Sequence, residues 1–162
     1  MRSLNLAHRR AIDHSKESLV TAAERLLKQA DVVRIKKNDF GHSQLRNLIA
    51  VALETESPAV VTNFILYQMG RDRSGKSWCN VPNGGDGKKL GERFIDEIDS
   101  VAGAVKQALA TMPDVLQDTQ LRQLAQIELV RHFLGFASRY LKFLDLQRGG
   151  GDDTDNREGE EA

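Results

Sequence analysis

The sequence predicts an all-α protein, a single helical bundle of about five helices with a long glycine-rich loop in its middle and a disordered acidic C-terminal tail. Three observations carry this expectation. Apolar residues make up 40% of 162 positions, while aromatics are only 6% and prolines number three. Leucine and alanine dominate the apolar set, and both lose little side-chain freedom in a helix. Apolar positions also recur at three- and four-residue steps in five separate segments. The length suits one domain with one core, here residues 1–148, followed by a tail over 149–162.

The first helix is expected over 15–33, where Leu19, Ala22, Ala23, Leu26, Leu27 and Ala30 share a face. Ser15 or Ser18 would cap its start. Val32 to Phe40 reads either as a fraying helix end or as a short extended piece, and Asn38-Asp39-Gly41 signals a turn. A second helix opens at His42-Ser43, with Ser43 as the expected N-cap and Leu45, Leu48, Ile49 and Ala52 as its stripe. Ser57-Pro58 restarts the chain as a third helix, because proline at the first helical position forgoes no hydrogen bond. That helix runs to Gly70 through Val60, Val61, Phe64, Ile65 and Tyr67.

Residues 71–88 are expected to be a loop, since glycines, a proline and two asparagines oppose regular structure. Trp78 within it is expected to pin the loop to the body. A fourth helix follows over about 89–111, with Leu90, Phe94, Ile98, Val101, Val105 and Leu109 on one face. Pro113 breaks the pattern. Asp118 or Thr119 then caps a fifth helix running to about Leu146, long enough to extend roughly 40 Å at ~1.5 Å per residue. Gly149-Gly150-Gly151 releases a tail too polar to fold.

Composition excludes several function classes. The single cysteine, Cys79, cannot form an internal disulfide, which points to the cytoplasm. The first ten residues lack the apolar segment of a signal peptide, and no run reaches the ~20 apolar residues needed to span a bilayer. His8, His14, His42 and His132 show no metal-ligand spacing with carboxylates or the cysteine, so no metal and no cofactor are expected. His8 and His14 fall near an expected frayed terminus. Asp96, Glu97 and Asp99 sit among Lys88, Lys89, Arg93 and Lys106 and read as a solvated ion-pair face. No Ser-His-Asp or Cys-His arrangement is apparent, and the chain is read as a binding protein with no catalytic residue.

One string argues the other way. Gly70 to Ser77 satisfies the G-x-x-x-x-G-K-S pattern of a phosphate-binding P-loop. A working P-loop needs a buried strand before it and a helix directly after it, whose N-terminus faces the phosphates. Here a helix-start signal precedes the string, and Pro82 and Gly84-Gly85 follow it. A nucleotide-binding enzyme is therefore the weakest alternative.

Charge is more informative. The formal net charge is zero, yet residues 149–162 hold six acids and one base, so the body carries an excess of five bases. An excess of that sign suits a polyanion, although scattered solubilising charge gives the same balance. The candidate RNA-binding bases fall in groups. Lys36 and Lys37 precede the second helix and Arg46 lies near its start. Arg71 and Arg73 open the loop. Arg131, Arg139 and Lys142 share one face of the last helix. Short antiparallel helices would bring these groups together, and Trp78 or Tyr67 would add a stacking surface.

Gly41-His42-Ser43-Gln44-Leu45-Arg46-Asn47-Leu48 resembles the Ser-Gln-(Ile/Leu)-Arg stretch of the small helical subunit of Csm-type, type III CRISPR effector complexes, which likewise opens a helix after a lysine-rich segment. Arg131-His132-Phe133 through Tyr140-Leu141-Lys142 loosely resembles the aromatic- and base-containing final helix of that family. The resemblance implies a non-catalytic subunit that stacks in several copies along a crRNA-guided complex and supports the guide–target RNA duplex through its backbone. It implies crRNA and target RNA, other effector subunits and copies of itself as partners. Arg46 and Lys37 become backbone contacts, while Leu45, Leu48 and Ile49 remain core. A helical protein–protein adaptor is the alternative of a different class.

Overall fold

The computed structural model describes residues 2–83 and 85–149, and every regular element among them is helical. The chain runs α1 (Leu6–Asp13), α2 (Lys16–Gln29), a 3-10 turn at Val32–Arg34, α3 (His42–Glu54), α4 (Pro58–Arg71), α5 (Leu90–Gly103), α6 (Val105–Ala108), α7 (Pro113–Gln117) and α8 (Thr119–Gly149). The five expected helices correspond to α2, α3, α4, α5 with α6, and α8. The expected tail, residues 150–162, lies outside the described residues.

The central element is α8. Its 31 residues extend about 46 Å. Ile127, Leu129, Val130, Phe133, Leu134, Ala137 and Leu141 are all fully buried, and at ~100° per residue they share one broad face of about 160°. That face is covered by α2, α3 and α5, which pack directly on α8, while α4 packs chiefly on α3 and α5. Side-chain bonds fix the directions. Lys28 reaches Tyr140 and Arg148 reaches Val32, so α2 runs parallel to α8. His42 bonds Asp145 while Arg131 bonds Ala52, so α3 runs antiparallel to it.

Local chemistry explains the departures from expectation. A separate α1 exists because Asn5 Oδ1 accepts from the His8 N–H at 2.9 Å while His8 Nδ1 accepts from the Asn5 N–H at 3.2 Å. This reciprocal cap satisfies two donors that a helix start leaves open, and His8 is thereby buried rather than frayed. In α3 the N-cap is Gly41, not Ser43. Gln44 Oε1 accepts from the Gly41 N–H at 2.9 Å. A Cβ on Gly41 would stand 2.8 Å from the Lys37 carbonyl oxygen, so the turn before α3 closes only around glycine. The fourth expected helix is divided at Gly103 and Ala104, consistent with the low helix propensity of glycine. Asp118 Oδ1 accepts from the Gln120 and Leu121 N–H groups and starts α8.

The 71–88 loop is anchored as expected. Trp78 is 2% exposed and meets the rings of Phe40 and Phe94 edge-on at centroid distances of 5.0 and 5.4 Å. The loop also caps α5, because the Leu90 and Gly91 N–H groups donate to the carbonyls of Asn80 and Trp78, each at 2.8 Å. Burial of Trp78 removes it as a stacking surface. No helix among the described residues is long and apolar enough to cross a membrane.

Candidate nucleic-acid interface

The helix directions decide where the bases lie. Because α2 is parallel and α3 antiparallel to α8, the segment joining α2 to α3 sits beside the last turns of α8. Two bonds hold it there. Arg148 Nε and Nη2 donate to the Val32 carbonyl at 3.1 and 2.7 Å. Asp145 takes His42 Nε2 at 2.8 Å and Arg148 Nη1 at 3.3 Å. Burial lowers the pKa of the Arg148 guanidinium, with the neighbouring Asp145 carboxylate opposing the shift. Lys36 and Lys37 project from the tied segment and are exposed, and Arg46 is exposed about one turn along α3 from His42.

The 71–88 loop belongs to the same end of the bundle. Its Trp78 packs on Phe40, five residues beyond Ile35, and Asn80 to Asn83 line a small cleft with Ala30, Asp31, Arg34 and Ile35. Arg71 and Arg73 are exposed there, with Arg71 lying 5.4 Å over the ring of Tyr67. Lys76 and Lys89 are exposed in the same loop. Some bases at this end are compensated: Arg34 pairs with Asp31, Lys88 with Asp96 and Arg93 with Asp86. Among the described residues, Lys36, Lys37, Arg46, Arg73, Arg139 and Lys142 make no ion pair.

The exposed side of the last turns of α8 adds aromatic surface. Tyr140 and Phe143 stack at 5.8 Å with 29° between their planes. Lys28 of α2 lies 5.6 Å over Tyr140, and Arg139 lies 5.6 Å over Phe136. Phe143 is 53% exposed and Leu146 still more so. In this stretch the only acid is Asp145, and it is held by His42 and Arg148. Sequence reasoning missed Lys28, Tyr140 and Phe143 as a group, because Lys28 is more than a hundred residues away and only the parallel packing of α2 on α8 brings it in. The i, i+3 spacing of Tyr140 and Phe143 was the available signal.

Arg131 requires a correction. It does not share the exposed surface of Arg139 and Lys142. It is half-buried beside the end of α3, where Nε donates to the Ala52 carbonyl at 2.8 Å, Nη2 to Thr55 at 3.0 Å, and Nη1 to Glu128 at 2.9 Å. These bonds satisfy carbonyls that the last turn of a helix leaves open. Arg131 is a clamp between α8 and α3 with its donors already engaged.

The P-loop-like string is also resolved. Helix α4, not a strand, leads into it, and the next helix, α5, does not begin until Leu90. Asp72 occupies the place an anion would take: its Oδ2 accepts from the Ser77 and Cys79 N–H groups at 3.0 and 2.8 Å, and its Oδ1 accepts from the Ser74 hydroxyl. A carboxylate inside the loop repels phosphate rather than cradling it.

Comparison with protein-family models, curated proteins and solved structures returns no match. The chemistry of the site therefore rests on its own residues. Among the described residues no group of three or more His, Cys, Asp or Glu is placed to hold a metal. What the arrangement offers is a set of cations on three connected segments, without ion pairs among the described residues, beside exposed rings, which can hold a phosphodiester strand by charge and by stacking.

Proposed function

We propose that this chain is a non-catalytic small subunit of a type III CRISPR effector complex, supporting crRNA and target RNA through contacts to the phosphate backbone. The observation that carries the reading is the cluster of exposed bases at the α8 C-terminal end of the bundle that make no ion pair among the described residues: Lys36, Lys37, Arg46, Arg73, Arg139 and Lys142. The Ser43–Arg46 stretch adds support. In that stretch Gln44 caps α3 and Leu45 is core, so Ser43 and Arg46 are its exposed members. Partners on this reading are guide and target RNA, other effector subunits and further copies of this chain.

The test is the salt dependence of RNA binding. Phosphate contacts release counterions, so each contact contributes about 0.7–0.9 to the log–log slope. Replacing Lys36 and Lys37 together by Ala is expected to weaken binding to every RNA sequence alike and to reduce the slope by about 1–2. An unchanged slope and affinity would remove the reading.

A second reading, a helical adaptor for a protein partner, is favoured by a different surface. The outer side of α4 exposes Val60, Leu66 and Tyr67. Copurification of one stable partner after ribonuclease treatment, abolished by Leu66→Ser with Tyr67→Ser, would favour it.

A further inference from the structure

We infer that the Tyr140–Phe143 pair is a stacking platform for an unpaired base of single-stranded RNA, with Lys28, Arg139 and Lys142 taking the flanking phosphates. The inference rests on the RNA reading above and narrows it from a backbone support to a site that distinguishes single strands from duplex.

The argument begins with the surface. A phenylalanine exposed over half its area costs hydrophobic free energy unless something covers it. Tyr140 is flanked by Lys28 at 5.6 Å and by Phe143 at 5.8 Å. Phe143 has Tyr140 on one side and is 53% exposed. The open surface is therefore an aromatic ring backed by a second ring that a cation holds in place. A nucleobase fits such a ring because every base has a flat π-face.

Charge selects the occupant. Arg139 and Lys142 rise within about one turn of Phe143 along α8 and are exposed, and Lys28 flanks them from α2. Within 136–149 of α8 the single acid is Asp145, and it is engaged by His42 and Arg148. A protein partner would meet three cations that make no ion pair among the described residues, whereas a nucleic-acid strand supplies the anions they need.

Base pairing selects the form of RNA. In a duplex the base faces are stacked on each other and only the edges and backbone reach a protein, so an exposed ring finds no partner there. A single strand presents splayed bases that stack on side chains.

The experiment uses the full chain and fluorescence anisotropy with three probes of equal phosphate number: a single-stranded RNA without self-pairing, an abasic strand of the same backbone, and an RNA duplex. Phe143→Leu keeps apolar bulk and removes the ring. It is expected to weaken single-stranded RNA by about fivefold or more and to leave the abasic strand and duplex unchanged. Arg139→Ala with Lys142→Ala is expected to weaken all three. If Phe143→Leu and Tyr140→Leu leave single-stranded RNA unchanged while the charge variant weakens all probes, the stacking inference is overturned and the backbone reading stands. If none of the probes binds at low salt, the RNA reading itself is overturned. If Phe143→Leu instead breaks self-association or a protein complex without changing RNA affinity, the face is a protein interface and the inference is wrong. Circular dichroism of each variant separates these outcomes from misfolding.

Discussion

Arg131 on α8 donates from Nε to the carbonyl oxygen of Ala52 on α3 at 2.8 Å, across 79 positions of sequence. The bond ties the open end of one helix to the middle of another, and the same guanidinium also reaches Thr55 and Glu128. Arg131→Met is predicted to destabilise the fold by about 2–3 kcal/mol, because half-buried carbonyls lose charged donors. Arg131→Lys restores little, since one ammonium cannot reproduce the planar fork. Chemical denaturation checks the cost, and an RNA titration of the folded protein should find affinity unchanged. A variant as stable as the parent would remove the clamp assignment.

The contrast with Arg139 shows what was legible beforehand. Spacing placed Arg131, Arg139 and Lys142 on one face of the last helix, and that held as helix geometry. Their roles diverge because α3 ends opposite Arg131, and no pattern within α8 reveals where another helix ends. Helix existence was readable wherever apolar residues recurred, as in α2, α3 and α5. Two short elements, α1 and α7, lay below the length at which periodicity is distinctive. The signal for α1 was present as Asn5 and His8, a capping pair with histidine in place of the usual glutamate. The ion pair of Lys88 with Asp96 belonged to the charged face read from sequence. Sequence could not supply the common end of the bundle at which 30–41 and 71–89 meet, because that depends on helix direction.

Gly91 marks the closest approach of α4 and α5. A Cβ there would lie 2.4 Å from Met69 Sδ and 3.2 Å from Ile65 Cγ2. Gly91→Ala is predicted to cost about 1–3 kcal/mol by overpacking. Met69 is unbranched and its far end can give way, so combining Gly91→Ala with Met69→Ala is expected to cost less than the sum of the two single changes. A double-mutant cycle in urea measures the coupling, and strict additivity would contradict the contact.

Trp78→Ala is predicted to cost about 3–5 kcal/mol, because it empties the space between Phe40 and Phe94. Loop 71–88 loses its anchor in the same step. Limited proteolysis should then cut between Arg71 and Lys89 at protease levels that leave the parent intact. Equal resistance in the two proteins would show that the Asp72 bonds alone hold the loop.

His132 supplies a pH dependence. Burial lowers its pKa below the ordinary histidine value, and the nearby Lys16 and Arg139 act in the same direction, against Glu128 and Asp13. The neutral form is thus the one the fold accepts. Its contribution is intact above the unfolded value of about 6.5 and is lost as pH falls below it toward the folded pKa. Melting temperature is predicted to drop between about pH 7.5 and about pH 5.5, and His132→Asn should reduce that drop. The same drop in the variant would assign it to other groups.

The central claim, that RNA lies along the base-rich end of the bundle, is tested most directly by photocrosslinking the full chain to a 4-thiouridine-substituted RNA and mapping adducts by mass spectrometry. The account predicts adducts within 34–46 and 136–147, with Phe143 and Tyr140 prominent. Adducts confined to the α4 face around Val60 and Tyr67, or spread evenly over the surface, would contradict it.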